Sequence, residues 1–233
     1  MKTIHLISGG AAQALVRQVQ EKFGASQGFN VEGTFGAVGA MREKVMAGDP
    51  CDVMILTGEQ ISNLAPTGQI LARSPRALGR VKTGVAVKAG APLPKVDTPK
   101  ALEALLRSAP GIYFPDPLKA TAGIHFMKVL RMLGLDEELA DRFRPFPNGA
   151  TAMREMAAAS GEGHVGCTQV TEILYTQGVQ LAGLLPAKFE LATMYTAAVS
   201  TRSKQPEAAA ALVELLAGAQ THDMRVAGGF EEA

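Results

Sequence analysis

FGAVGAMREKVMAGDPCDVMILT, Phe35 to Thr57, reads as the end of a strand, a Gly-rich turn, a helix, a Gly-Asp-Pro stop and a second strand. Val38, Met41 and Val45 fall on one face at helical spacing, and Gly48 with Pro50 supplies the stop signals. The unbroken run Val53-Met54-Ile55-Leu56 has no polar face, as expected of a parallel strand covered by helices on both sides. Upstream, Thr3 to Ser8 reads as a first strand that passes through Gly9-Gly10 into a helix carrying Leu15, Val16, Val19 and Phe23 on one face. A second strand near Asn30 to Phe35 leads back into the quoted stretch.

Downstream the same rhythm repeats. Val81 to Lys88 alternates and then breaks at Ala89-Gly90-Ala91-Pro92, which marks a strand leaving one layer for another. Thr98 is an N-cap with Pro99 at the first helical position, and Pro110 follows the helix. Strand Gly111 to Phe114 meets the turn Pro115-Asp116-Pro117, and Ala122-Gly123 opens a helix through Phe126, Val129, Leu130 and Leu133. Asn148 caps a helix carrying Met153 and Met156 as core filling. Strand His164 to Thr168, a helix from Gln169 to Tyr175, strands Val179 to Leu184 and Leu191 to Val199, and a C-terminal helix from Pro206 complete the chain. Strands alternating with helices predict an α/β fold of mainly parallel sheets with helices on both faces. Crossover strands near Val81 and Met194 predict two lobes, residues 1–81 plus 198–233 and residues 82–197, joined at a hinge.

Composition narrows the function classes. The 233 residues carry a formal net charge of +1, no tryptophan and no long basic run, so neither the charge nor the stacking surface of a nucleic-acid binder is present. No apolar stretch is long enough to span a bilayer, and the start lacks the features of a secretory leader, which predicts a cytoplasmic protein, or a periplasmic one if a leader was removed. Cys51 and Cys167 are too few and too far apart for a disulfide framework or a metal cluster. No metal or cofactor is expected, the expected partner is a small-molecule anion, and the oligomeric state stays open.

Four stretches together carry a resemblance: Ser8-Gly9-Gly10, Gly36-Ala37-Val38-Gly39, FPDPLKATAGIHF from Phe114 to Phe126, and GEGHVGCTQVTEIL from Gly161 to Leu174. In order and spacing they resemble the ligand-facing regions of type II periplasmic solute-binding proteins related to the molybdate-binding protein. GVQLAGLLPAKFELATMYTAAV, Gly178 to Val199, looks like that family's return crossover. TQVTEIL and GLLPAKF further resemble a branch similar to aconitate isomerases. The resemblance implies a two-lobed fold and an anion held at helix starts. Molybdate binders use hydroxyls in the second loop, where this chain has Ala37, Val38 and Gly39, so a larger organic anion, held by amides and by apolar contact with Val38, fits better than molybdate.

The candidate residues each have two readings. Ser8 and Gly9 either face an anion or form an ordinary helix start; Gly36 lets an anion approach the backbone or makes a tight turn; Thr57 lies at the same edge or caps the next helix. Thr121, Ala122 and Gly123 offer amides at a helix start. Lys119 either balances a carboxylate or is solvated, and His125 is either a base favoured in its neutral form by the helix start or a structural residue. Asp116 is either a held base or an Asx-turn residue. Gln169 is placed to hydrogen-bond a carboxylate. Arg42, Arg80 and Lys82 read as counter-charges or surface cations, and Cys167 as a nucleophile has only His164 as a local base.

Two functions satisfy these readings. One is an isomerase that moves a proton and a double bond in an unsaturated di- or tricarboxylate, with His125, Lys119 or Asp116 as proton carrier. The other is a non-catalytic solute-binding protein or sensor for a small anion.

Overall fold

The computed structural model describes residues 2–232. In chain order the strands are β1 (Lys2–Gly9), β2 (Phe29–Gly36), β3 (Val53–Thr57), β4 (Arg76–Lys88), β5 (Ile112–Pro115), β6 (Phe143–Phe146), β7 (Val165–Gln169), β8 (Val179–Leu184) and β9 (Ala192–Val199). The α-helices are α1 (Gln13–Gln27), α2 (Val38–Ala47), α3 (Gly58–Leu64), α4 (Pro99–Ser108), α5 (Thr121–Met132), α6 (Gly149–Ala158), α7 (Val170–Tyr175), α8 (Pro206–Ala217) and α9 (His222–Ala227). The chain divides into two compact units, Met1–Val81 with Thr193–Ala233, and Lys82–Ala192.

In the first unit the strand order is β2-β1-β3-β9. β1 runs parallel to both β2 and β3, and β9 is antiparallel to β3. The unbroken apolar run of β3 has its physical cause here, because alternate residues point to opposite faces of the sheet. Val53 and Ile55 join a core with Leu15, Val16 and Val19 of α1 and Leu212 and Leu216 of α8, while Met54 and Leu56 join another with Met41 and Val45 of α2 and Ile61 and Leu64 of α3. Both faces are therefore dry. α2 ends where Gly48 adopts φ 93°, and its N–H returns to the last turn.

The second unit has the order β8-β4-β7-β5-β6, with β5 parallel to β6 and β7 and with β4 antiparallel to β7 and β8. Phe114, Val165 and Cys167 pack on Leu102 and Leu106 of α4 and Phe126, Val129 and Leu130 of α5. Tyr113 and Ala86 pack on the other face with Met153 and Met156 of α6 and Ile173 of α7. Parallel strands with helices on both faces are the α/β fold the sequence predicts. β6 is an addition: its four residues, Phe-Arg-Pro-Phe, are too short and too polar for alternation to reveal, and pairing along β5 makes the strand. β4 likewise begins at Arg76, before the alternating stretch.

One buried carboxylate ties the first unit together. Asp52 accepts the His5 N–H at 2.8 Å, the Ser203 hydroxyl at 2.6 Å and the Lys204 N–H at 3.2 Å. It thereby joins the segment after β9 to the start of the sheet. Removing it leaves the half-buried His5 N–H and Ser203 hydroxyl without their acceptor, while the Lys204 N–H is open to water. Asp52→Ala should therefore lower the stability of the protein by about 1–3 kcal/mol in a urea titration, whereas a loss within experimental error would show that water replaces the carboxylate.

Candidate functional site

In the first unit, register brings the predicted residues to one edge. Gly9 lies opposite Gly36 and Ser8 opposite Ile55, so the ends of β1, β2 and β3 align, with Thr57 closing the row. Each strand turns there into a helical segment. A Cβ on Gly9 would come within 2.5 Å of Val38 Cγ1 and 3.3 Å of the Tyr195 ring, so glycine is required by close packing at that point. The Val38 side chain is buried in the core. What α2 offers outward is its backbone: the N–H groups of Val38, Gly39 and Ala40 precede the first intrahelical bond, made by Met41 N to Ala37 O at 2.9 Å.

Ser8 is fully buried and donates its hydroxyl to Gly9 O at 2.8 Å. Thr57 caps α3, accepting the Gln60 N–H at 3.2 Å. Gly36 is buried at the end of β2, and Ala37 stands at the α2 N-cap position, where it has no side-chain acceptor to give.

In the second unit, Pro115, Phe146 and Gln169 end the parallel strands β5, β6 and β7 at a common edge. Asp116 accepts the Leu118 N–H at 2.7 Å and the Lys119 N–H at 3.1 Å through one carboxylate oxygen, the Asx-turn geometry. Lys119 is exposed on that turn. α5 then starts at Thr121 with Ala120 as its N-cap residue, again without a side-chain cap. Gly123 packs so closely on the carbonyls of Pro115 and Asp116 that no side chain fits, which anchors the first turn of α5 on the end of β5. His125 Nε2 donates to Phe189 O at 2.8 Å, so the ring holds the loop before β9. Gln169 is buried at the start of α7.

Sequence reasoning missed the most heavily engaged group at this edge. Glu172 is buried, and its carboxyl takes the Thr168 hydroxyl at 2.6 Å and the N–H groups of Ala150, Gly149 and Gln169. The signal was present as Thr168 near the end of β7 and Glu172 four residues on in the short helix α7, but nothing local says that a second helix would present its start to them.

A cavity of about 540 Å³ in the second unit is lined by Lys88, Leu105, Glu162 and His164 among others, where β4 ends and β7 begins, and none of the predicted site residues lines it. Cys167 is fully buried with its thiol pushed up by burial, and the Cys51 thiol is pushed up to about 12 by burial and by Asp52. Neither is a nucleophile at neutral pH.

The sequence profile of bacterial extracellular solute-binding proteins matches residues 4–231. The chain belongs to that family. Among individual relatives, an aconitate isomerase from a Pseudomonas species is 25% identical over 221 residues, 92% of this chain and 82% of that protein. The periplasmic molybdate-binding protein of Azotobacter vinelandii superposes with a TM-score of 0.81 at 18% identity over 99% of both chains. The sulfate-binding protein SubI of Mycobacterium tuberculosis superposes with a TM-score of 0.75 at 19% identity, over 100% of this chain and 88% of that one. The fold is thus the two-lobed periplasmic-binding-protein fold. Among the described residues, no helix is long and apolar enough to cross a membrane.

Two measurements check this chemistry. A disulfide thiol reagent should leave both cysteines unmodified in the native protein and titrate both after denaturation; rapid native modification would contradict their burial. Burial raises the Glu172 carboxyl above its unfolded value of 4.5. The native state therefore holds a proton that the unfolded state has already released. The stability this gives is fully present below about pH 4.5 and is lost as pH rises through the native value. Relative to Glu172→Gln, the unmodified protein should lose stability with rising pH across that window in paired denaturant titrations, and a constant difference would contradict the shift.

Proposed function

We propose that this protein binds a small organic anion, a carboxylate, through backbone N–H groups at helix starts left without side-chain caps. The observation that carries the proposal is the contrast among the helix starts at the two sheet edges. Thr57 fills the start of α3, and Asn148 and Glu172 fill that of α6. The segment entering α1 after Gly9, α2 after Ala37 and α5 after Ala120 have no such side-chain cap. Such starts combine N–H donors that have no intrahelical acceptor with the positive end of the helix dipole, which suits an anion. The proposed binding residues are, in one unit, Ser8, Gly9, Gly36, Ala37, Val38 and Thr57 and, taken separately, in the other unit, Thr121, Ala122, Gly123, Lys119 and Gln169. Backbone donors without the hydroxyls of a Ser-rich loop favour a planar carboxylate over a tetrahedral oxyanion. Family membership supports a receptor role for the protein, and with it a location outside the cytoplasmic membrane.

A second reading, isomerisation of an unsaturated carboxylate, is favoured by the matched aconitate isomerase. It needs a proton carrier among His125, Lys119 and Asp116. His125 is engaged with Phe189 O and Asp116 with its own turn, which favours binding without chemistry. The cytoplasmic location expected from the sequence goes with this enzymatic reading.

Thermal unfolding with trans-aconitate, cis-aconitate, citrate, molybdate and sulfate tests the proposal, because a ligand bound only by the native state raises the melting temperature with its excess over Kd. A larger shift with a carboxylate than with molybdate is expected, and the reverse order would overturn the ligand class. Proton NMR of the aconitates in deuterated water separates the two readings. Binding without exchange or isomerisation is expected, whereas turnover lost in His125→Ala or Lys119→Ala with binding retained would establish the enzyme.

A further inference from the structure

We propose that Glu172 is a positioning residue: its carboxylate, held between the start of α6 and the turn from β7 into α7, fixes the segment that carries Gln169, and anion affinity at that edge depends on this carboxylate being ionised. The affinity part rests on the anion-binding reading above; the positioning part does not.

The α6 start has no donor left over. Gly149 and Ala150 give their N–H groups to Glu172, Thr151 N–H goes to Asn148 Oδ1 at 2.8 Å, and Ala152 N–H goes to Asn148 O at 3.0 Å. Glu172 is thus a built-in anion where an uncapped helix would otherwise seek one. It is also the third residue of α7, so its bond to the Gln169 N–H is the returning arm of a capping box. One side chain therefore satisfies the starts of two helices. Gly149 has to lack a side chain, because a Cβ there would overlap both the Glu172 carboxyl and the Thr168 hydroxyl.

Three N–H groups and one hydroxyl converge on the carboxyl, and an ionised carboxylate, which only accepts, matches all four. A neutral acid must aim its own proton at one of them. Thr168 alone can turn to accept it, and its hydroxyl proton then needs a new acceptor in a fully buried place. The charged residues of α6, Arg154 and Glu155, are exposed, and the groups facing Glu172 from α6 and β7 are these neutral donors. Burial raises this carboxyl, while the Thr168 hydroxyl and the three N–H groups oppose the rise. Ionisation thus works against folding and in favour of a fixed Gln169 turn.

The test compares unmodified protein with Glu172→Gln by amide hydrogen exchange at Gly149, Ala150 and Gln169, and by titration with trans-aconitate over a series of pH values above the ordinary carboxylate range. In Glu172→Gln, with native circular dichroism, exchange at the three amides should rise about tenfold or more and trans-aconitate affinity should fall several-fold. The unmodified protein should lose affinity as pH falls through the raised carboxyl value, and the variant should not share that loss. A folded Glu172→Gln with unchanged exchange overturns the proposal, as does identical pH dependence of affinity in both proteins. If Glu172→Gln does not fold, Gly149→Ala, which displaces the carboxylate sterically, should give the same faster exchange at Ala150 and Gln169, and unchanged exchange there overturns positioning. If the unmodified protein binds none of the anions, the binding reading and the affinity part fail together, and amide exchange alone decides positioning.

Discussion

The first N–H groups of a helix have no carbonyl behind them, and this protein is organised around what it supplies instead. Parallel strands oblige every connection to turn at the same edge of the sheet, so each unit gathers several helix starts side by side. Some are closed from within, by Thr57, Asn148 and Glu172. Others follow Gly9, Ala37 and Ala120, residues with nothing to donate or accept from a side chain. The proposed anion site lies where starts are left unfilled.

Close packing makes that arrangement rigid. Gly9 admits Val38, and Gly123 admits the backbone at the end of β5, so the open starts of α2 and α5 are fixed against strand ends rather than carried on free loops. Asp116 before the α5 start and His125 in its first turns hold the turn and a neighbouring loop in place. Their chemistry is positional. In the proposed reading, recognition falls to the backbone, whose donors discriminate by shape and charge.

Much of the fold was legible in the sequence because its signals are local. Val53 to Leu56 reads as a strand buried on both faces, Thr98-Pro99 and Asn148 as helix starts, and Gly48 with Pro50 as a stop. β6 was invisible, since Phe-Arg-Pro-Phe is a strand only by virtue of pairing with β5. At the site, the sequence located the strand ends but not the use of each side chain. Ser8 looked like a donor to a ligand, yet its hydroxyl turns back to Gly9 O; Val38 looked like an apolar contact, yet its side chain belongs to the core. Glu172 was missed because its partners on α6 lie more than twenty residues away in sequence and meet it only once β7 and α6 have packed.

The central claim, that uncapped helix starts are where the anion binds, is tested most directly by backbone amide chemical shifts during a titration with trans-aconitate. The account predicts the largest shifts at Gly9 to Ala12, at Val38 to Ala40 and at Thr121 to Gly123, with Gly149 and Ala150 little changed because Glu172 already occupies them. Largest shifts at Gly149 and Ala150, or around Lys88 and His164 at the opposite edge of the second unit, would contradict it.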